Sequence, residues 1–298
     1  MATIFLFGAG ASYGSDNQNT PPLGPGLFDE LRRFNPDVWG TITGNLADEF
    51  RRDFEEAMKS VAPHALSSLQ RAMAAYFFDF RPRTSNLYFE LARRIAGSRG
   101  WQGAACTLNY ERLLELSLIG AGVQLFVGQP RAGPAGVELC LPHGCCHIFC
   151  DAVKGTAGGV SFDGFGVKTD GPVTMIGDPR QHRSRVLQDA FPPVMSYFEP
   201  NKRTTTGRSF IEAQRARWRE LGVSASALVI VGVRVRPHDD HIWGPIASTE
   251  ARVVYCGGAS GAAEYRAWAS ATRAGRADRI LDRYFRDEFA SICAEAGL

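Results

Sequence analysis

The sequence has 298 residues, of which 45% are hydrophobic and 21% are charged. This composition is typical of a soluble globular protein and excludes a disordered or fibrous chain. The 33 basic and 31 acidic residues give a formal net charge of +2. Because the basic residues form no polybasic arm, we do not predict nucleic acid as the main ligand.

The amino-terminal residues, 1–8, lack the basic region and the small-residue cleavage site of a signal peptide. The longest apolar run, at residues 227–233, has the length of a strand and is too short for a membrane span. The seven cysteines show no disulfide framework. A cytoplasmic protein with reduced thiols is therefore expected.

Short apolar runs alternate with segments of helical spacing. Thr3–Phe7 is continuously apolar and predicts a buried strand of a parallel sheet. Further strands are predicted at residues 104–108, 123–127, 137–141, 227–233 and 251–255. Helices are predicted at residues 110–118, 209–221, 262–271 and 280–296. This alternation predicts an α/β fold with a Rossmann-like, mainly parallel sheet flanked by helices.

Two segments interrupt the alternation. Residues 36–98 contain apolar positions at helical spacing and no strand pattern, which predicts a helical insertion after the first strand. Residues 144–200 form a small module of ambiguous structure, with short strands expected around Ile148 and Met175. No linker divides the chain, so residues 1–298 are interpreted as a single domain.

The first candidate binding motif is Gly-Ala-Gly-Ala-Ser at residues 8–12, directly after the first strand. Glycines at this position allow the backbone to approach a phosphate. Tyr13 stands where the dinucleotide fingerprint of dehydrogenases has its third glycine, which disfavours hydride transfer. The alternative is a tight turn with no ligand.

Three more motifs follow predicted strands, where ligands of parallel sheets bind. Asn109 lies in Thr-Leu-Asn-Tyr-Glu (residues 107–111), and its alternative role is to cap the next helix. His143 stands between a proline and a glycine, and it is a candidate general base or a structural histidine. Gly232 ends a buried strand and opens a polar loop, so it marks a second candidate nucleotide-facing edge.

Together these segments resemble the sirtuin-like domains of bacterial antiphage defence proteins. The resemblance rests on the glycine turn followed by Leu23-Gly24, the segment at residues 107–111, the His143-Gly144 pair and the segment at residues 232–242 with its Asp-x-His-Ile end. A Pro-Pro pair at residues 192–193 with Lys202 downstream adds to it. The order and spacing of these segments match over essentially the whole chain.

The resemblance implies a sirtuin-like domain that binds NAD⁺ as its substrate and needs no metal. Asn109 would orient the nicotinamide ribose and a water molecule, and His143 would act as the base. The residues expected to bind the nucleotide are Gly8, Ala9, Gly10, Ser12, Thr107, Gly232, Arg234 and Asp239.

Arg234 departs from the family, which usually has serine there. The arginine would either pair with a phosphate or block the ribose pocket. The zinc-binding C-x-x-C pairs of protein-deacylating sirtuins are absent. Cys140, Cys145, Cys146 and Cys150 lack zinc-site spacing, and buried free thiols are favoured over zinc.

The favoured function is an NAD⁺ hydrolase that releases nicotinamide and ADP-ribose, acting as an antiphage defence effector. The alternatives are a non-catalytic module that binds NAD⁺ or ADP-ribose and, less favoured, an NAD-dependent deacylase or ADP-ribosyltransferase. Regulation would come from self-association or from a partner, for which the resemblance implies an Argonaute-like protein or a hexameric translocase. No direct contact with nucleic acid or a membrane is expected.

Overall fold

The structure is a computed structural model that describes residues 2–98, 100–131, 136–151, 160–163, 166–196, 204–236 and 239–298. Its strands, in chain order, are β1 (Thr3–Phe7), β2 (Gly103–Thr107), β3 (Leu125–Val127), β4 (Val137–Cys140), β5 (Ile148–Cys150), β6 (Val160–Asp163), β7 (Gly166–Thr169), β8 (Val173–Met175), β9 (Ala227–Val231), β10 (Arg252–Cys256) and β11 (Arg279–Leu281).

The helices surround these strands, and a short 3₁₀ helix lies at Trp39–Thr41. The α-helices are α1 (Ala9–Gly14), α2 (Gly24–Phe34), α3 (Gly44–Arg52), α4 (Phe54–Lys59), α5 (Pro63–Phe78), α6 (Leu87–Gly97), α7 (Leu113–Gly120), α8 (Pro179–Gln188), α9 (Arg208–Ser224), α10 (Asp240–Ser248), α11 (Gly258–Thr272) and α12 (Phe289–Glu295).

Seven strands form one sheet in the order β11-β10-β9-β1-β2-β4-β3, and all of their pairings are parallel. The central strand β1 is fully buried, and Phe5 pairs with Ala105 of β2 on one side and with Val229 of β9 on the other. The strand order reverses beside β1, which is where ligands of such sheets bind. The predicted α/β class with a mainly parallel sheet is confirmed.

Alternate residues of β1 face two apolar cores, as the period of a strand requires. Phe5 and Phe7 belong to the larger core, under the helices that separate β1 from β2. Ile4 and Leu6 belong to the second core, which also contains Trp218 of α9. Both faces of the sheet are therefore covered, as its uniformly apolar strands predict.

Helices α2–α6 lie between β1 and β2 and pack around an aromatic cluster. Trp39 is fully buried, and its ring lies 5.6 Å from the rings of both Phe50 and Phe54. Phe28 stacks on Phe50 at 4.9 Å. This cluster fixes the start of α4, and residues 52–55 thereby reach the edge of the main cavity.

The predicted strands are present with small changes at their ends, and the short strands expected around Ile148 and Met175 form the antiparallel pair β5–β8. The helix predicted at residues 280–296 is wrong in its first half. Residues 279–281 instead form β11, which pairs with the edge of β10, because strand pairing there outweighs local helical spacing. Tyr284, which follows this strand, is 69% exposed.

Other differences concern helix starts. The helix predicted at residues 110–118 begins only at Leu113, because the Glu111 carboxylate accepts the backbone N–H of Leu113. Helices α8 and α10 were not predicted. Pro245 inside α10 and the polar residues of α8 conceal the usual helical pattern. None of the described helices combines the length and the apolarity needed to cross a membrane.

Candidate functional site

A cavity of about 940 Å³ lies at the carboxyl ends of β1, β2, β4, β9 and β10. Its size falls within the range of ligand pockets, roughly 300–1,000 Å³. The turn after β1, the loop after β9 and the side chains of Asn109 and His143 all line it. The sheet therefore gathers into one cavity motifs that are separated by more than 200 residues of sequence.

Three glycines keep the turn after β1 and the loop after β9 in direct backbone contact. The N–H of Gly10 donates to the carbonyl oxygen of Gly232 at 3.0 Å. A β-carbon at Gly8 would lie 2.6 Å from that same oxygen, and one at Gly232 would lie 2.0 Å from the backbone nitrogen of Ala11. Gly232 also has a φ of +64°, which side chains disfavour. These glycines are thus required for loop packing, whatever the cavity binds.

Asn109 is anchored to the glycine turn and does not cap a helix. Its Nδ2 donates to the carbonyl oxygen of Gly8 at 3.1 Å and to Oγ of Ser12 at 2.8 Å. Because the Gly8 carbonyl oxygen can only accept a hydrogen bond, it requires the NH₂ group of Asn109 on that side and fixes the orientation of the amide. The alternative capping role is therefore wrong, and Glu111 bonds the start of α7 instead.

Ser12 is the centre of a buried hydrogen-bond network. Its hydroxyl donates to Oε1 of Glu111 at 2.5 Å and lies 3.1 Å from the Tyr88 hydroxyl. A serine hydroxyl has one hydrogen, so Ser12 accepts from Asn109 and Tyr88 while it donates to Glu111. Burial raises the pKa of Glu111 to about 7, against the opposing effect of the Ser12 and Leu113 hydrogen bonds.

Thr107 lies outside the lining of the cavity. It is buried, and its Oγ1 accepts the backbone N–H of Asn109 at 3.1 Å. Its place in the structure is under the Asn109 loop. The sequence predicts that Thr107 contacts the ligand, but in this position Thr107 can affect a ligand only indirectly, by supporting Asn109.

His143 lies in a rigid loop after β4. Its carbonyl oxygen accepts the N–H of Ser196 at 2.9 Å. The next residue, Gly144, has a φ of +77°, and a β-carbon at this position would lie only 2.0 Å from the Val194 carbonyl oxygen. The His143 ring is 5% exposed, and its Nε2 lies 2.9 Å from Nε2 of His241 on α10. His241 was not singled out from the sequence, where only the spacing of the Asp-x-His-Ile segment pointed to it.

Arginines and carboxylates form the rim beyond Gly232. Arg234 is 65% exposed and lies 3.6 Å from a carboxylate oxygen of Glu264, so it stands at the mouth of the cavity and does not fill it. Arg236 is half-buried and pairs with Glu55 of α4 at 2.7 Å. Asp239 is buried at the start of α10. The ion pair between Arg236 and Glu55 could not be predicted from the sequence around either residue.

The segment that contains Cys145 and Cys146 packs against the loop of Asn109. All seven cysteines are free and buried. Sγ of Cys145 donates to the Tyr110 carbonyl at 3.1 Å, and the N–H of Cys146 donates to the same oxygen at 2.9 Å. Nδ1 of His147 lies 3.1 Å from Sγ of Cys145. These contacts join the loop of His143 to the loop of Asn109.

Cys145, Cys146 and His147 have their potential ligand atoms within 4.8 Å of one another. Zinc in structural sites takes four ligands, and the described residues supply three here. Cys140 and Cys150, the other two cysteines of this part of the sequence, are not part of this group. Lys202 and residues 237–238 of the sequence motifs lie outside the described residues.

Comparison with known proteins gives similarity at the level of structure only. No known protein family matches the sequence, and no curated protein matches it. Among solved structures, the chain is similar to a sirtuin studied for its substrate affinity, with 13% identity and a TM-score of 0.43 over 86% of this chain and 82% of the other.

Two mutant forms of a Sir2 homologue, each solved as a complex with ADP-ribose, are also similar. Each is 12% identical over 99% of this chain and 92% of the other, with TM-scores of 0.46 and 0.42. What the cavity binds is therefore inferred from its own residues.

Proposed function

We propose that the cavity binds NAD⁺ and that the protein hydrolyses its nicotinamide–ribose bond. The observation that carries the proposal is that Asn109 and His143 line the same cavity as the loops of Gly8 and Gly232. The motifs that resemble the sirtuin-like domains therefore meet in space as well as in order. The position of the cavity, beside the central strand, is also where parallel sheets bind nucleotides.

The proposed reaction breaks the C–N bond between the ribose and the pyridinium nitrogen. The electron pair of this bond moves to the nitrogen, so nicotinamide leaves neutral and positive charge develops on the ribose. A water molecule then adds to the ribose carbon and loses a proton. The products are ADP-ribose, nicotinamide and one proton, and the reaction balances without an oxidant or reductant.

In this proposal Asn109 orients the sugar or the water. Its amide nitrogen is held by Gly8 and Ser12, so the amide oxygen keeps one direction and needs no reorganisation during the reaction. His143 is the candidate base for the water or for a ribose hydroxyl, since an imidazole accepts protons near neutral pH. Burial of both side chains limits competing water around the developing charge.

The first test is nicotinamide release from NAD⁺ by the purified chain, followed by chromatography. Asn109→Ala and His143→Ala are expected to lower release by at least about 100-fold, the usual effect of losing a catalytic base or a charge-stabilising group. Asn45→Ala and His64→Ala serve as matched controls, because both residues are exposed and neither lines the cavity.

Calorimetric titration with ADP-ribose separates binding from chemistry. Binding without release by the wild-type chain would favour the non-catalytic binding module, or an enzyme that waits for an activator. Transfer of ADP-ribose to a protein instead of water would favour the ADP-ribosyltransferase. Loss of both binding and release would overturn the nucleotide assignment.

We further propose that this activity serves bacterial antiphage defence, which rests on the motif resemblance alone. An NAD⁺ hydrolase that is always active would deplete the cell of NAD⁺, so activation by self-association or by an Argonaute-like or translocase partner is expected. The test is to measure cellular NAD⁺ before and after phage infection in cells that express the wild-type chain or His143→Ala. Depletion that follows infection only in the wild type would support this setting.

A further inference from the structure

The candidate base contacts a second histidine. Nε2 of His143 and Nε2 of His241 lie 2.9 Å apart, with ring centres separated by 5.2 Å and planes inclined by 47°. An N···N hydrogen bond of this kind needs a hydrogen on one nitrogen and a lone pair on the other. If both rings were doubly protonated, two N–H groups would point at each other. At this distance the pair therefore carries at most one positive charge.

We propose that His143 and His241 act as a two-histidine proton relay, in which His143 takes the proton of the reaction and His241 takes the charge. This inference rests on the proposed NAD⁺ hydrolysis. Nε2 of His143 is directed at His241, so the proton from water or a ribose hydroxyl is taken at Nδ1, the other ring nitrogen. The proton on Nε2 of His143 passes to Nε2 of His241. His143 ends neutral in its other tautomer, and His241 ends as the imidazolium.

The charges around the two rings favour this direction of transfer. Nε of Arg215 donates to the carbonyl oxygen of Pro142 at 3.3 Å, so a guanidinium stands beside the His143 loop. A cation on His143 would add to the charge of this guanidinium beside its loop and to the positive charge that develops on the ribose. His143 lines the cavity and His241 does not, so moving the proton to His241 takes positive charge away from the ribose.

Two acidic residues precede His241 in the sequence. Asp239 is buried directly before α10, and Asp240 lies in the first turn of that helix. The amino terminus of a helix by itself disfavours a cation, and acidic residues at that terminus reduce the effect. Among the described residues, Tyr110 also lies near the pair, with its ring 6.5 Å from that of His143. The half-buried ion pair between Arg236 and Glu55 lines the same cavity as His143.

The kinetic test replaces His241 with a side chain that forms hydrogen bonds but does not titrate. His241→Gln is expected to lower kcat by roughly 10- to 100-fold, a part of the usual contribution of a general base, with KM changed less than threefold. The acid limb of the pH–rate profile is expected to move to lower pH, because His143 must then carry the charge itself beside Arg215. His64→Gln, an exposed histidine on α5, is the control and keeps the wild-type profile.

Chemical rescue separates a relay from a structural role. Added imidazole is expected to restore a measurable part of the kcat of His241→Ala, and to restore none of the activity of His143→Ala. An unchanged pH profile in His241→Gln, or a kcat equal to that of the wild type, would overturn the relay.

Histidine NMR keeps this test independent of turnover. In ¹⁵N-labelled wild-type protein, the ring nitrogens of His143 and His241 are expected to titrate together, and His241→Gln is expected to shift the midpoint of His143. Separate, unlinked titrations in the wild type would overturn the relay even in a protein that cleaves NAD⁺. Linked titrations in a protein that releases no nicotinamide would support the shared proton while the proposed function fails.

Discussion

The amide nitrogen of Asn109 lies 2.8 Å from the hydroxyl oxygen of Ser12, and this contact joins the end of β2 to the turn after β1. Ser12 in turn donates to the buried Glu111 carboxylate. The side chain expected to orient the substrate is thus held by a network that extends into the core. A buried hydrogen-bond network holds its side chains in fixed positions when every donor and acceptor has a partner. Removal of one member lowers the stability of the protein, because it leaves other buried polar groups unpaired.

Ser12→Ala is expected to destabilise the protein by about 1–3 kcal/mol, because it leaves buried groups of Asn109, Glu111 and Tyr88 without their shared partner. Urea unfolding measures this. Ser117→Ala is the matched control, since Ser117 is fully buried and its hydroxyl has no hydrogen-bond partner among the described residues. That substitution is expected to be neutral or slightly stabilising. Equal losses in the two variants would contradict the network.

Glu111 is expected to make stability depend on pH. Its pKa is raised from an ordinary value of 4.5 to about 7, chiefly by burial, so the folded state holds a proton that the unfolded state releases. Its contribution to stability is complete below about pH 4.5 and is lost as the pH rises to about 7. The expected size of this loss is at most a few kcal/mol.

The measurement is the unfolding free energy of the wild type and Glu111→Gln from pH 4.5 to 8. The wild type is expected to lose stability relative to Glu111→Gln as the pH rises, with little further change above pH 7. Ser117→Ala, which alters no titratable group, should run parallel to the wild type. A wild type that gains stability relative to Glu111→Gln over this range would reverse the sign and refute the prediction.

Gly232→Ala is expected to cost at least about 3 kcal/mol, because it combines a positive φ with a steric clash. Its β-carbon would lie 2.0 Å from the nitrogen of Ala11. Gly44→Ala is the control, because Gly44 has a similar φ of +59° and a β-carbon added there would have no atom within 4 Å. The expected loss of stability for this control is about 1–2 kcal/mol. Urea unfolding compares the two, and equal costs would show that the loop contact does not matter.

Arg234→Ala is expected to weaken NAD⁺ binding by roughly fivefold, which corresponds to about 1 kcal/mol for an exposed charge pair. The prediction assumes that Arg234 meets a phosphate of NAD⁺. Since Arg234 is exposed at the mouth of the cavity, its loss should not alter stability. The difference in Kd should shrink at high salt. Arg33→Ala, exposed on α2, is the control. Tighter binding by Arg234→Ala would indicate that the arginine obstructs the site.

The sequence was sufficient to place four motifs at strand ends, and parallel strands then bring Gly8, Asn109, His143 and Gly232 to one edge of the sheet. It was insufficient wherever a contact joins side chains on different elements. The contact between His143 and His241 spans 98 residues, and that between Glu55 and Arg236 spans 181 residues. Periodicity describes one element at a time, so it contains no information on such pairs.

The same limit explains the wrong helix at residues 280–296. Ile280, Phe285, Phe289 and Ile292 have a spacing that a helix would satisfy, and the two phenylalanines and Ile292 are indeed buried. However, the open edge of β10 offers backbone hydrogen bonds to residues 279–281. A partner strand of this kind cannot be recognised within a window of ten or fifteen residues.

The position of β1 at the centre of the sheet also has a consequence for how the protein is made. This strand ends at Phe7, yet one of its two neighbours, β9, ends at Val231. A ribosome adds about 5–20 residues per second, so β1 emerges roughly 10–45 seconds before that neighbour has been translated. During this interval its backbone N–H and C=O groups on that side have no native partner, and such an unpaired edge is open to pairing with other chains.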